Sequence, residues 1–176
     1  MLPLLFRAYR FDIQSALNQV YCGRSFIVGV LMEQWVDSYK GIVEFAIGHE
    51  IKAYRLYTDL SKVMICPEIH ELCKELAAEE LEHRARLEKE GVKEGELLSP
   101  VNLSKYNILG SDVNIFKRRI EIYIFAMKKE QASIQLYRDL AAIVKHEDLR
   151  QLFSWLAEQE TEHKRRFGFE YKNLLK

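Results

Sequence analysis

The sequence predicts an all-α chain whose main body is four long helices, built as two antiparallel hairpins joined by a long crossover. Three observations predict it. Apolar residues recur at three- and four-residue spacing through long stretches. Only three prolines and eight glycines interrupt 176 residues dominated by Leu, Ala, Glu, Lys and Arg, which favour helices. The second half of the chain repeats the first, "FAIGHEIKAYRLYTDL" (45–60) lying over "FAMKKEQASIQLYRDL" (125–140).

The segment before residue 35 reads as an N-terminal helical extension, residues 1–34. Its stretch "FDIQSALNQVYCGRSFIVGVLMEQ" holds one or two short helices broken at Gly23. Met32 is an alternative start, just ahead of the bundle domain at residues 35–176. The first long helix runs from about Trp35 to Ile65, with Ile42, Phe45, Ala46, Ala53, Leu56, Tyr57 and Leu60 on its apolar stripe. Pro67 suits the first turn of a new helix and forbids smooth continuation of the old one. That second helix extends to about Lys89, and Gly91 supplies its stop. Gly91, Gly95, Pro100 and Gly110 then mark a connection over 91–111. A connection that long makes sense if it travels the length of a bundle. Ser111 or Asp112 caps a third helix reaching about Lys145. The break at "KHED" (145–148) begins the fourth, which ends near Leu174.

Lys+Arg and Asp+Glu balance at 26 each, so no global field favours nucleic acid or an anionic membrane. The basic run Lys117–Arg118–Arg119 reads as a solvated helix end. "FIVGVLM" (26–32) is far too short to span a bilayer, and Arg7 and Arg10 spoil the apolar start as a signal peptide. Cys22, Cys66 and Cys73 are an odd count without a C-x-x-C pair, which argues against a disulfide framework, a zinc ribbon or a rubredoxin-type iron site. Three reduced cysteines point to the cytoplasm.

The repeat runs without a gap from Ile42 over Ile122 to Leu87 over Phe167. Most of its identities are apolar, such as Phe45/Phe125, Leu60/Leu140 and Leu76/Leu156, and follow from duplication of a helical hairpin. The polar matches are more informative: Glu50 lies over Glu130, Glu80 over Glu160 and His83 over His163. Glu50 precedes Pro67 by almost the same length of chain by which His83 follows it. At about 1.5 Å per residue the chain climbs roughly 25 Å and returns as far, so the two finish at one level of the hairpin. Glu80 sits one turn from His83 on the same face. Glu50 also falls on the stripe of Ala46, Ala53 and Tyr57, and Glu130 on that of Ala126, Ser133 and Tyr137. A glutamate on an apolar stripe is costly unless it is paired or ligates metal. A salt-bridged pair accounts for one Glu-x-x-His; two symmetric sets, each with a stripe glutamate, favour a metal site.

This pattern resembles the ferritin-like di-iron carboxylate proteins, most of all the rubrerythrin branch. There a Glu on each of two helices joins a Glu-x-x-His on each of the other two. Here the matching residues are Glu50, Glu80–His83, Glu130 and Glu160–His163. The resemblance implies a ferritin-like four-helix bundle holding two iron ions, with manganese suiting the same ligands. It implies that Glu80 and Glu160 bridge the metals while Glu50–His83 and Glu130–His163 complete one each. Tyr57 and Tyr137, two turns beyond Glu50 and Glu130, are candidates to support the ligands, or are core aromatics. Two features depart from the branch. No cysteine pairs are present to build a rubredoxin module, and Ser133 stands where a further glutamate is usual, matching Ala53 in the other half.

The resemblance implies an oxidoreductase that reduces peroxide or dioxygen with electrons from a separate donor protein, in the setting of oxidative stress. Three alternatives stand beside it: an iron-oxidising, iron-handling protein, a di-iron oxygenase, and a non-enzymatic helical binding module with a vestigial site. Leu2, Leu4, Leu5, Phe6, Tyr9 and Phe11, followed by "FIVGVLM", need cover, either by capping the bundle or by pairing with a second chain, and the second favours a homodimer or higher homo-oligomer. His49, His70 and His146 have no histidine counterpart in the repeat and read as surface residues.

Overall fold

A computed structural model describes residues 35–90, 97–106 and 119–176, all within the compact unit Met32–Lys176. Four long helices make up most of it: α1 (Tyr39–Val63), α2 (Pro67–Glu90), α3 (Arg119–Ile143) and α4 (Glu147–Leu174). α1 packs along α2 and α3 along α4, each pair closing at a tight turn, as the hairpin reading requires. The predicted N-terminal extension and the caps Ser111 and Asp112 lie outside the described residues. Of the predicted basic run, Arg119 opens α3 and is exposed.

The core divides into two apolar clusters. One gathers Ile42, Phe45 and Ala46 of α1 with Leu87 at the end of α2, Leu136 and Leu140 late in α3, and Leu149 and Phe153 early in α4. The other gathers Tyr57 and Leu60 late in α1 with Ile69 and Leu76 early in α2, Ile122 and Ala126 early in α3, and Phe167 late in α4. α1 therefore runs parallel to α4, and α2 to α3. The end of α2 and the start of α3 lie at opposite ends, so the crossover must traverse the bundle. Counting residues leaves that direction open; the distribution of buried side chains fixes it as a ferritin-like bundle. Among the described residues, no helix is long and apolar enough to cross a membrane.

Two details depart from the sequence reading. The helix expected from Trp35 begins at Tyr39, because Trp35–Ser38 is a short strand, β1. The crossover, for which the sequence predicts no regular element, carries a strand β2 (Leu97–Asn102) and a 3-10 turn (Ser104–Tyr106). β1 and β2 pair antiparallel, Trp35 opposite Asn102 and Val36 opposite Val101, with an irregularity before Ser38 pairs Leu97. So short a strand has little preference of its own; the crossover supplies its hydrogen bonds. Ser38 then caps α1, its Oγ accepting from Gly41 N at 3.2 Å.

Gly41 lets the ribbon lie against the helix. A Cβ there would sit 2.6 Å from Val36 Cγ1, on a side chain stiff at χ1. Gly41→Ala gains up to about 1 kcal/mol of helix propensity, but overpacking costs about 1–3 kcal/mol. The substitution is expected to lower stability in urea denaturation, and Val36→Ala in the same chain is expected to restore most of the loss. A stabilised single variant would show that the ribbon yields freely.

Candidate metal centre

Between the two apolar clusters lies a polar layer. Each helix contributes from near its middle: Glu50 from α1, Glu80 and His83 from α2, Glu130 from α3, Glu160 and His163 from α4. None of the six is more than 2% exposed. Apolar turns on either side carry each polar group to this depth.

The structure brings all six together. Ligand atoms of Glu50, Glu80, His83 and Glu160 lie within 4.8 Å of one another, and so do those of Glu80, Glu130, Glu160 and His163. Glu80 and Glu160 belong to both groups, whereas Glu50–His83 and Glu130–His163 belong to one each. His83 Nδ1 lies 3.2 Å from Glu50 Oε2, 3.2 Å from Glu80 Oε2 and 3.5 Å from Glu160 Oε1. His163 Nδ1 lies 3.5 Å from Glu80 Oε1 and 3.6 Å from Glu160 Oε2. The imidazoles stack nearly parallel, centroids 5.3 Å apart, across the pseudo-twofold of the repeat.

Four buried carboxylates cannot all remain charged without cations. Burial, then the charge of Glu80, pushes Glu50 well above the usual carboxylate range. Burial, then the charge of Glu160, does the same to Glu130. Burial acts the same way on Glu80 and Glu160, but the two imidazoles overcome it and leave both carboxyls low. Burial would lower His83, yet Glu160, Glu50 and Glu80 raise it to about 11. Glu160, Glu79 and Glu80 likewise raise His163 against burial. Without metal the layer therefore holds two carboxylates, two imidazoliums and two carboxylic acids, which sum to zero. Two divalent cations displacing those protons from four carboxylates and two neutral imidazoles sum to zero as well.

The donor set fits such ions. Among the described residues, Glu80 Oε1, Glu130 Oε1, Glu160 Oε1 and His163 Nδ1 are buried without a hydrogen-bond partner. Native proteins rarely leave so many buried polar atoms without a hydrogen bond in one place. Carboxylate oxygens mixed with imidazole suit iron or manganese better than magnesium or calcium.

Tyr137 Oη donates to Glu50 Oε1 across α1 and α3. Its repeat partner Tyr57 is fully buried, and Tyr57 Oη has no partner among the described residues. One histidine differs from expectation. His49 is buried, 4% exposed, with Nε2 2.8 Å from Ser133 Oγ. Burial, then the neighbouring Lys129, lowers it to about 3, so it is neutral. Lys129 itself is buried, and burial lowers its ammonium. His49 and Lys129 occupy the same repeat position, just before Glu50 and Glu130. Identity matching passes over that position because the two residues differ, although both are basic. His70 is half-buried against the Ser61 carbonyl, 2.7 Å away, and His146 is half-buried with its ring against Tyr39. Sequence reasoning also missed Glu79, which meets His163 Nε2 at 2.9 Å.

The metal-free protein should show an inverted pH profile. Raised His83 contributes stability that is complete below 6.5 and lost as the pH climbs toward about 11, and raised His163 acts in the same direction. Glu50 and Glu130, raised above 4.5, act in the same direction. Glu80 and Glu160, lowered, contribute stability above 4.5 that is lost as the pH falls. After chelator treatment, stability is expected to peak near about pH 5–6 and to decline toward about pH 9. Urea midpoints across that range check it, and a flat profile would contradict the charge arrangement.

Residues 41–171 match the rubrerythrin family. Among curated proteins none matches the chain. Among solved structures, a hypothetical protein from Pyrococcus furiosus is similar: 26% identical, TM-score 0.61, covering 76% of this chain and 88% of that one. The match spans most of the chain and takes in all four helices and the buried carboxylate–imidazole layer: the chain belongs to the rubrerythrin family, within the ferritin-like di-iron superfamily.

Proposed function

We propose that the protein is a di-iron oxidoreductase that reduces peroxide or dioxygen with electrons from a separate donor protein. The observation that carries this is the buried six-residue layer with its unpartnered polar atoms, in a chain of the rubrerythrin family. Glu80 and Glu160, each shared by both groups, would bridge two ions. Glu50 with His83 would complete one, and Glu130 with His163 the other. Bound iron would supply electrons and a template for the O–O bond.

The chain's own residues do the rest. The apolar clusters on either side exclude bulk water from the layer. Tyr137 holds Glu50 by its Oε1. The stacked imidazoles direct both Nδ1 atoms into the layer. An external donor fits a chain whose three cysteines include no C-x-x-C pair for a rubredoxin-type centre. The apolar residues 1–31 support assembly as a dimer or higher homo-oligomer, in which a second chain would cover them.

Metal analysis after anaerobic iron(II) loading and desalting tests the centre. About two irons per chain are expected, and none in the isosteric Glu80→Gln/Glu160→Gln variant, with circular dichroism confirming that it folds. Stopped-flow oxidation of the loaded protein then tests the reaction, with peroxide expected to react faster than dioxygen. Iron retained only by a closed multi-chain shell in light scattering would move the iron-handling reading ahead. No retained iron or manganese in the wild type would leave a helical binding module.

A further inference from the structure

The repeat makes the six buried residues nearly symmetric, but what stands behind the two histidines is not. Behind His163 is a chain of charges. Its Nε2 meets Glu79 Oε2 at 2.9 Å. Glu79 Oε1 accepts from Arg166 Nη1 at 2.7 Å, and Arg166 Nη2 donates to Glu75. In the repeat, Gln159 stands in place of Glu79, Trp155 in place of Glu75 and Arg86 in place of Arg166. Behind His83 there is accordingly an aromatic ring. Trp155 meets the imidazole at right angles, centroids 5.3 Å apart, and Arg86 lies over the indole at 4.0 Å. Among the described residues, no carboxylate hydrogen-bonds His83 Nε2. The same arginine thus serves an ion pair in one half and a cation–π contact in the other.

We infer that the two metal positions are unequal, and that Glu79 makes the Glu130–His163 position the tighter one. The inference rests on the di-metal reading above and deepens it. A carboxylate on the remote nitrogen fixes the tautomer, aims the Nδ1 lone pair inward and makes it a stronger donor; losing such a partner typically weakens metal binding about 10–100-fold. Trp155 orients His83 by packing and by the weak field of its ring, which does not raise the basicity of the other nitrogen in the same way. The first ion taken up by the metal-free protein enters the His163 side. Under limiting supply, or with two kinds of metal present, the positions fill differently.

Manganese(II) binding to the chelator-stripped chain, followed by calorimetry and electron paramagnetic resonance, reads this without any assay of activity. Repulsion between two cations splits the isotherm even for a symmetric site, so the variants carry the test. His83→Ala keeps the His163 position and is expected to bind one ion about 10–100-fold more tightly than His163→Ala, which keeps the other. Glu79→Gln is expected to erase that advantage when added to His83→Ala and to change nothing when added to His163→Ala. Equal affinities of the two histidine variants, or indifference of His83→Ala to Glu79→Gln, would overturn the inference. Should either histidine variant fail to fold, Glu79→Gln alone decides, since Glu79 is partly exposed and outside both apolar clusters. It is expected to weaken the tighter of the two wild-type steps, and an unchanged tighter step overturns the inference. Two bound ions with no effect of Glu79 would leave the di-metal centre standing without its asymmetry. A wild type that binds no ion would overturn the centre and the inference together.

Discussion

Everything in this bundle answers to one constraint: six ionisable side chains share a buried layer between two apolar clusters. Each ion buried there costs several kcal/mol after relaxation, and only close partners of opposite sign offset it. The helices are long for that reason. Each places its polar residues near mid-length, with apolar turns above and below to bury them, and this divides the core into two clusters. A shorter helix would bring the layer to the surface. A register shift of one residue would swing Glu50 or Glu130 off the stripe that faces the other helices.

The same layer is balanced in two ways. Protons neutralise it without metal, and in the di-metal reading two divalent cations would do so in their place. That distinguishes the bundle from small metal domains that remain unfolded until the ion arrives. Here two apolar clusters already supply a core, so an ion would enter a prepared space. Cross-bundle contacts near the layer reinforce the preparation. Tyr137 ties α3 to Glu50 of α1, and His49 ties α1 to Ser133 of α3, so hydrogen bonds at Glu50 and at its chain neighbour join two helices of different hairpins.

The four helices and the six residues of the layer were legible in the sequence because local signals specify them. The apolar period gives the helices, Pro67 and "KHED" give the turns, and the repeat shows which polar residues matter by aligning Glu50 with Glu130. What escaped depends on contacts distant in sequence. β1 is too short to carry a strand preference and exists because β2 pairs with it. The direction of the crossover follows from which side chains share a cluster, not from its length. The burial of His49 and the role of Glu79 were hidden because the repeat substitutes them, by Lys129 and Gln159, and identity matching rewards only what stayed the same.

The duplication has a consequence for how such a site could change over time. Two separate copies of one hairpin, meeting about a twofold axis, would place every residue twice. A tryptophan behind one histidine would stand behind the other as well. Joining the copies in a single chain lifts that obligation. Position 75 is glutamate while position 155 is tryptophan, and position 79 is glutamate while position 159 is glutamine. The long crossover is the physical means of that freedom: by carrying the chain from one end of the bundle to the other, it turns a pair of interchangeable subunits into two halves that evolve independently around a shared centre.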